Sequence, residues 1–135
     1  MTFPPITELT ILGVSDPGIP NRERIIIRPT EPVNLGQFGI FIGHKNINGV
    51  VTPWMDNFFW FGELIVEPPS WIIIYTGMGV YQKTLMPGSE QIIHSMHWGR
   101  NYTVFNLPST VPVLFRLDSV LIGQHLYPVS KELKS

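Results

Sequence analysis

The sequence predicts an all-β protein, an immunoglobulin-like sandwich of eight or nine short strands forming one domain over residues 1–135. Three observations carry this expectation. Thirteen prolines and twelve glycines recur every several residues. The segments between them are short and rich in Ile, Val, Phe, Tyr and Trp, which is strand-and-turn patterning. No segment keeps a helical period beyond a single turn. A chain of 135 residues is the size of one domain with one core.

The elements can be justified in order. Residues 8–14 form the first candidate strand, ended by Asp16-Pro17-Gly18. Pro fixes φ near about −65° and Gly tolerates positive φ, as a type II turn requires. Residues 24–28 follow, with Ile25-Ile26-Ile27 unbroken, and 71–75 repeat the pattern in Ile72-Ile73-Ile74. A strand wet on one face alternates, so these two are expected to be central, covered on both faces or leading one side into an interface. Arg24 and Arg28 bracket the first of them. Strand 37–42 precedes Asn48-Gly49, the strongest hairpin signal in the chain, because a type I′ turn needs positive φ at both central positions. It should pair 39–42 with 50–52. Strand 58–61 is aromatic throughout. Pro68-Pro69 has no backbone donors and closes what precedes Trp71. Met86-Pro87-Gly88-Ser89 is a second type II turn signal, ahead of strand 91–96. Strands 102–105, 113–117 and 120–122 complete the set. Residues 1–7 and the polar tail 130–135 read as frayed ends.

Composition narrows the function. Charged residues make up 14% of the chain, against a usual ~25% in soluble domains. The surface is therefore unusually neutral, which favours self-association or a partner protein. A net charge of −1 with scattered Lys and Arg supplies no field to attract nucleic acid. The absence of cysteine removes disulfides, thiolate metal sites and Cys nucleophiles. No apolar run approaches the ~20 residues of a membrane helix, so no membrane span is expected. Residues 1–8 show neither a basic nor an apolar signal region, and the default expectation is the cytoplasm.

The strand order and punctuation resemble the lamin-tail domain, an immunoglobulin-like sandwich. Glu23-Arg24-Ile25-Ile26-Ile27-Arg28 resembles its early Glu-x-Ile-x-Ile strand. Glu31-Pro32-Val33-Asn34-Leu35-Gly36-Gln37-Phe38 resembles its x-Pro-Val-Asp-Leu-x-x-Trp, with Phe38 where the family has Trp. The segment 61–77, then His97-Trp98-Gly99-Arg100, Val104-Phe105-Asn106 and Val113-Leu114-Phe115-Arg116-Leu117-Asp118, resemble its later strands, with the closing Gly displaced to Gly123. The resemblance spans 9–127 and implies a non-catalytic module of the kind found in lamins and appended to bacterial extracellular proteins and nucleases. It brings no catalytic residue and no cofactor.

The candidate sites divide by chemistry. His94 and His97 are three apart, which in an extended strand sets them on opposite faces, so one ion would need a bulge between them. His44, Asp56, Glu63 and His125 could add ligands only through the fold, and no segment carries a metal-binding motif. Asp56 and Glu63 could also be read as a carboxylate pair, but no nucleophile elbow or phosphate loop accompanies them. A small metal-dependent enzyme built on His94 and His97 with Asp56 and Glu63 is one alternative reading, and a carbohydrate-binding module using the exposed aromatics Trp54 and Trp60 is the other. The aromatic set Trp54, Phe58, Phe59, Trp60 and Phe61 is the most unusual local feature. Alternation sends Phe58 and Trp60 one way and Phe59 and Phe61 the other, one pair to the core and the other outside. The expected outer surface is Phe59 and Phe61 with Trp54, His44 and Asn57. Loops of the chain, a second subunit or a glycan stacked on Trp54 and Trp60 could cover it. Arg100, between Trp98 and Tyr102, is placed for a cation-π contact.

Overall fold

A computed structural model describes residues 4–126. Its strands are β1 Leu9–Ser15, β2 Arg24–Pro29, β3 Val33–Asn34, β4 Phe38–Lys45, β5 Val51–Trp60, β6 Ile65–Val66, β7 Ser70–Tyr75, β8 Gln82–Leu85, β9 Ile92–His97 and β10 Thr110–Arg116. One 3-10 turn, Leu35–Gln37, interrupts them, and no α-helix occurs among the described residues. The strands build a five-stranded sheet, β1-β2-β7-β9-β8, a three-stranded sheet, β10-β4-β5, and a small pair, β3-β6. All pairings are antiparallel except β7 with β9.

The two larger sheets share one core. Ile25, Ile27, Ile72 and Ile74 enter it from the first, and Phe38, Ile40 and Ile42 from the second, all completely buried. These are alternate positions along each strand, as the two-residue period of a sheet dictates. The isoleucine triplets are central strands, as their continuity implies. Their middle residues, Ile26 and Ile73, point outward and are half-buried. Beside them the Arg28 guanidinium lies 4.1 Å from the Trp71 ring centroid, so flattened long side chains provide the cover on that face.

Glu23, at the entrance to β2, is 1% exposed. Its Oε1 accepts from the Thr76 hydroxyl and the Val104 N–H, both at 2.7 Å. Its Oε2 accepts from the Gly18 N–H at 2.7 Å and the Phe105 N–H at 2.8 Å. One carboxylate therefore holds three separate loops at one end of the sheet. This explains why 102–105 is not a strand: the N–H groups of Val104 and Phe105 serve the carboxylate instead of a ladder, while both side chains enter the core.

Other expectations are corrected. Residues 120–122 belong to no strand. Three strands were not legible: β3 and β6 have only two residues each, and β8 is a polar edge exposed at every position. The β4-β5 hairpin forms, but Gly43, His44 and Lys45 pair with Pro53, Thr52 and Val51. Of its two turn residues only Gly49 has positive φ, +83°. The Asn46 side chain accepts from the Asn48 and Val50 N–H groups at 2.9 and 3.0 Å, and this clasp replaces the two-residue turn. The Met86–Ser89 turn forms as expected, with Gly88 at φ +70° and the Ser89 N–H on the Met86 carbonyl. Residues 4–7 are not frayed: Ile6 packs on the core, and the Thr7 carbonyl accepts from the Thr30 hydroxyl at 2.6 Å. The expected frayed residues 1–3 and 130–135 lie outside the described residues.

Candidate interaction surface

The outward face of the three-stranded sheet is apolar from edge to edge. Phe38, Ile40 and Ile42 point into the core, so Gly39, Phe41 and Gly43 point away from it. Across the sheet Phe115, Gly39 and Trp60 form one row, Val113, Phe41 and Phe58 the next, and Val111, Gly43 and Pro53 the third. No charged or hydrogen-bonding side chain interrupts these rows except the Trp60 indole. The glycines let neighbouring side chains lie flat. A Cβ on Gly39 would sit 2.5 Å from Phe115 Cζ, and one on Gly43 would sit 2.3 Å from Val51 Cγ1. The Phe115 ring centroid is 6.0 Å from that of Phe41 and 5.2 Å from that of Phe58. The Trp60 indole N–H donates to the Gly36 carbonyl at 2.9 Å, which pins the ring against the sheet. Phe58 and Trp60 nevertheless remain 55% and 52% exposed.

This phase corrects the expected outer pair. Phe59 is opposite Ile40, on the core side, and Phe61 is 8% exposed. Their rings meet edge to face at 5.6 Å, and Phe59 also packs on Trp98 at 5.3 Å. The outer pair is Phe58 and Trp60. Every position of Phe58-Phe59-Trp60-Phe61 is apolar, so hydropathy gives no phase, and register against β4 decides it.

Ile42 alone faces residues 54–57, because Phe41 pairs with Phe58 and Gly43 with Pro53. The strand therefore bulges outward there. Trp54 and Asp56 are exposed on the bulge, and Asn57 is half-buried. Asp56 has φ +61°, and its carbonyl accepts from Arg100. The Arg100 guanidinium lies 5.6 Å from the Trp98 ring and 5.9 Å from the Tyr102 ring, in the contact the sequence suggested. His44 is exposed beside the hairpin end, opposite Thr52. Of the expected surface residues, Trp54 and His44 are on the surface, Asn57 is at its edge, and Phe59 and Phe61 are not part of it.

The histidine pair separates as strand alternation requires. His94 points inward and is 4% exposed, and the Tyr81 hydroxyl contacts its Nδ1 at 2.8 Å. His97 points outward and stacks on Tyr75 at 5.1 Å. Glu63 is exposed beside Gly36. Among the described residues no group of three His, Asp or Glu side chains is placed to hold a metal ion.

Burial, and secondarily the charge of Lys83, lowers the His94 pKa from its ordinary 6.5. The unfolded chain then binds a proton that the folded chain refuses. Stability is therefore complete above pH 6.5 and falls as pH drops through the window between 6.5 and the lowered folded value. Thermal unfolding followed from pH 7.5 to about pH 5 should show this decline. His94→Phe, which keeps a ring beside Tyr81, should flatten it; an unchanged slope would assign the proton to another group.

Among the described residues no helix is long and apolar enough to cross a membrane. Comparison of the chain with protein-family models, with curated proteins and with solved structures finds no match.

Proposed function

We propose that this chain is a non-catalytic, immunoglobulin-like module that acts by protein–protein contact and associates with itself through the outward face of the three-stranded sheet. The observation that carries the reading is the continuous apolar grid around Phe41, Phe58, Trp60 and Phe115, which no element among the described residues covers. Covering the exposed half of Phe58 and Trp60 removes about 100 Å² from water for each ring, on the order of 2–3 kcal/mol apiece. The low charge of the chain, 14%, supports it from a second direction, since little like-charge repulsion opposes association. The placement of β1, β2 and β7 in one sheet and β4 and β5 in the other favours the immunoglobulin-like, lamin-tail-like reading. The parallel β7-β9 pair is a departure from it.

Light scattering over a concentration series tests the proposal. A dimer or larger species is expected, and Phe58→Ser with Trp60→Ser should weaken it on the order of 100-fold or more without unfolding the chain. A monomer at every concentration overturns self-association. That result would turn the same face toward a heterologous protein, or toward a glycan stacked on Trp54 and Trp60, which tryptophan fluorescence against a polysaccharide panel detects.

A further inference from the structure

We infer that the loop end of the sandwich, where β1, β4, β7 and β9 finish and β2, β5 and β10 begin, docks on the surface of an anionic lipid bilayer. The inference does not depend on the self-association proposed above, because it uses a different surface. Ser15, Arg24, Tyr75 and His97 are neighbours across one sheet at this end, and Thr110, His44 and Thr52 across the other. The Glu23 carboxylate ties the β1-β2, β7-β8 and β9-β10 loops together through Gly18, Thr76, Val104 and Phe105. The Lys45 N–H, on the Ser109 carbonyl at 2.7 Å, fastens the β4-β5 hairpin to the same group. The four loops are therefore fixed side by side. Each leaves apolar side chains in water: Ile19 in the first, Ile47 and Val50 at the hairpin tip, Met78 and Val80 in the third and Leu107 in the fourth, with Ile47 99% exposed. They do not line a common cavity, since the groove of about 860 Å³ beside Leu107 takes in none of the other five. A protein interface needs a continuous, close-packed patch. A bilayer surface accepts separate tips without shape matching, and each tip buries its apolar area at the boundary of headgroup and acyl chain.

Charge selects the partner. Lys and Arg are scattered in the sequence, but Arg22, Arg24, Lys45 and Arg100 come to this end of the fold. The carboxylates beside them are engaged: Glu23 by the four donors above, and Asp16 by Arg24 at 2.8 Å and Arg22 at 3.6 Å. Arg22 keeps 70% of its side chain exposed, and Lys45 makes no ion pair among the described residues. Asp56 lies partway along β5, where Arg100 holds its carbonyl. Glu8, Glu31, Glu63, Glu67, Glu90 and Asp118 all lie at the other end of the strands, with Arg28 and Arg116 among them. β10 alone spans about 23 Å between the two ends, more than two Debye lengths of about 8 Å in physiological salt. Those acids therefore do not repel an anionic surface that the loop end meets. Apolar loop tips, with Lys45 at the base of the hairpin and Arg22 beside β2, match acyl chains beneath phosphate-bearing headgroups.

Sedimentation of the full chain with vesicles tests the proposal, using phosphatidylcholine alone and phosphatidylcholine mixed equally with phosphatidylserine. The chain is expected to pellet with the mixed vesicles, binding them roughly tenfold or more above the neutral ones. Ile47→Ser should weaken that binding roughly tenfold, as the loss of one buried aliphatic side chain requires, and Lys45→Gln about fivefold. Both positions are exposed, so urea midpoints should stay those of the parent. Ile65→Ser, at a position 75% exposed at the acidic end, should leave binding unchanged. The chain has no cysteine, so Ile47→Cys chains take a single environment-sensitive fluorophore, whose emission should shift to the blue on mixed vesicles while the same label on Ile65→Cys chains does not. A parent chain that stays in the supernatant over the mixed vesicles overturns the proposal and turns these loops toward a protein of acidic surface. Binding that Ile47→Ser leaves intact, or that Ile65→Ser weakens equally, overturns docking by the loop end.

Discussion

Glu23→Ala should cost the fold about 3–5 kcal/mol, because two buried backbone N–H groups, Val104 and Phe105, and the part-buried Gly18 N–H lose their acceptor together, and each buried loss costs roughly 1–3 kcal/mol. That is a large share of the stability of any domain of this size. Glu23→Gln isolates the charge and the second oxygen from the volume. Its amide keeps one acceptor but presents N–H donors to two of the groups that Glu23 serves, so this near-isosteric change should also be strongly destabilising. Thr76→Ala removes only the one hydroxyl partner of Oε1 and should cost on the order of 1 kcal/mol. Urea unfolding midpoints order the three variants. Amide exchange at Val104 and Phe105 should accelerate most, since these N–H groups are closed by the carboxylate alone. A Glu23→Gln protein as stable as the parent would show that the clasp does not hold the loops.

Alternate residues of β5 should fail in opposite ways. Phe61→Ala empties a core position and should cost about 3–5 kcal/mol, with Phe59→Ala nearer the lower bound because Phe59 is only half-buried. Phe58→Ser should change the stability of the isolated chain by no more than about 1 kcal/mol, the scale of one aromatic contact. Its effect should appear in association instead. If copies bind through this face, the unfolding temperature of the parent rises with protein concentration, and Phe58→Ser removes that dependence while Phe61→Ala lowers the whole curve. Equal losses from Phe58 and Phe61 would mean that both rings are core and that the sheet has no free apolar face.

The sequence by itself determined the kind of structure. The recurrence of Pro and Gly set short strands, and the unbroken triplets Ile25-Ile26-Ile27 and Ile72-Ile73-Ile74 located two of the three strands that lie inside the larger sheet. The Met86–Ser89 turn was legible because Pro fixes its own φ and Gly alone takes positive φ without strain. The three-residue spacing of His94 and His97 predicted their separation onto two faces. These are local properties, carried by a residue and its neighbours.

Tertiary structure decided what depends on partners distant in sequence. The phase of Phe58-Phe59-Trp60-Phe61 was open because both faces of the strand are apolar, and pairing of Phe59 with Ile40 settled which rings fill the core. Segment 102–105 reads as a strand by composition, yet a carboxylate more than eighty residues away at Glu23 takes its N–H groups. β8 exists because Gln82, Lys83 and Thr84 find backbone partners along β9, with no apolar pattern to announce it. Side-chain period and turn chemistry act through the nearest few bonds. Register, edge pairing and the capture of a loop by a buried charge are contacts between separated parts of the chain, and they come into being only when the chain closes on itself.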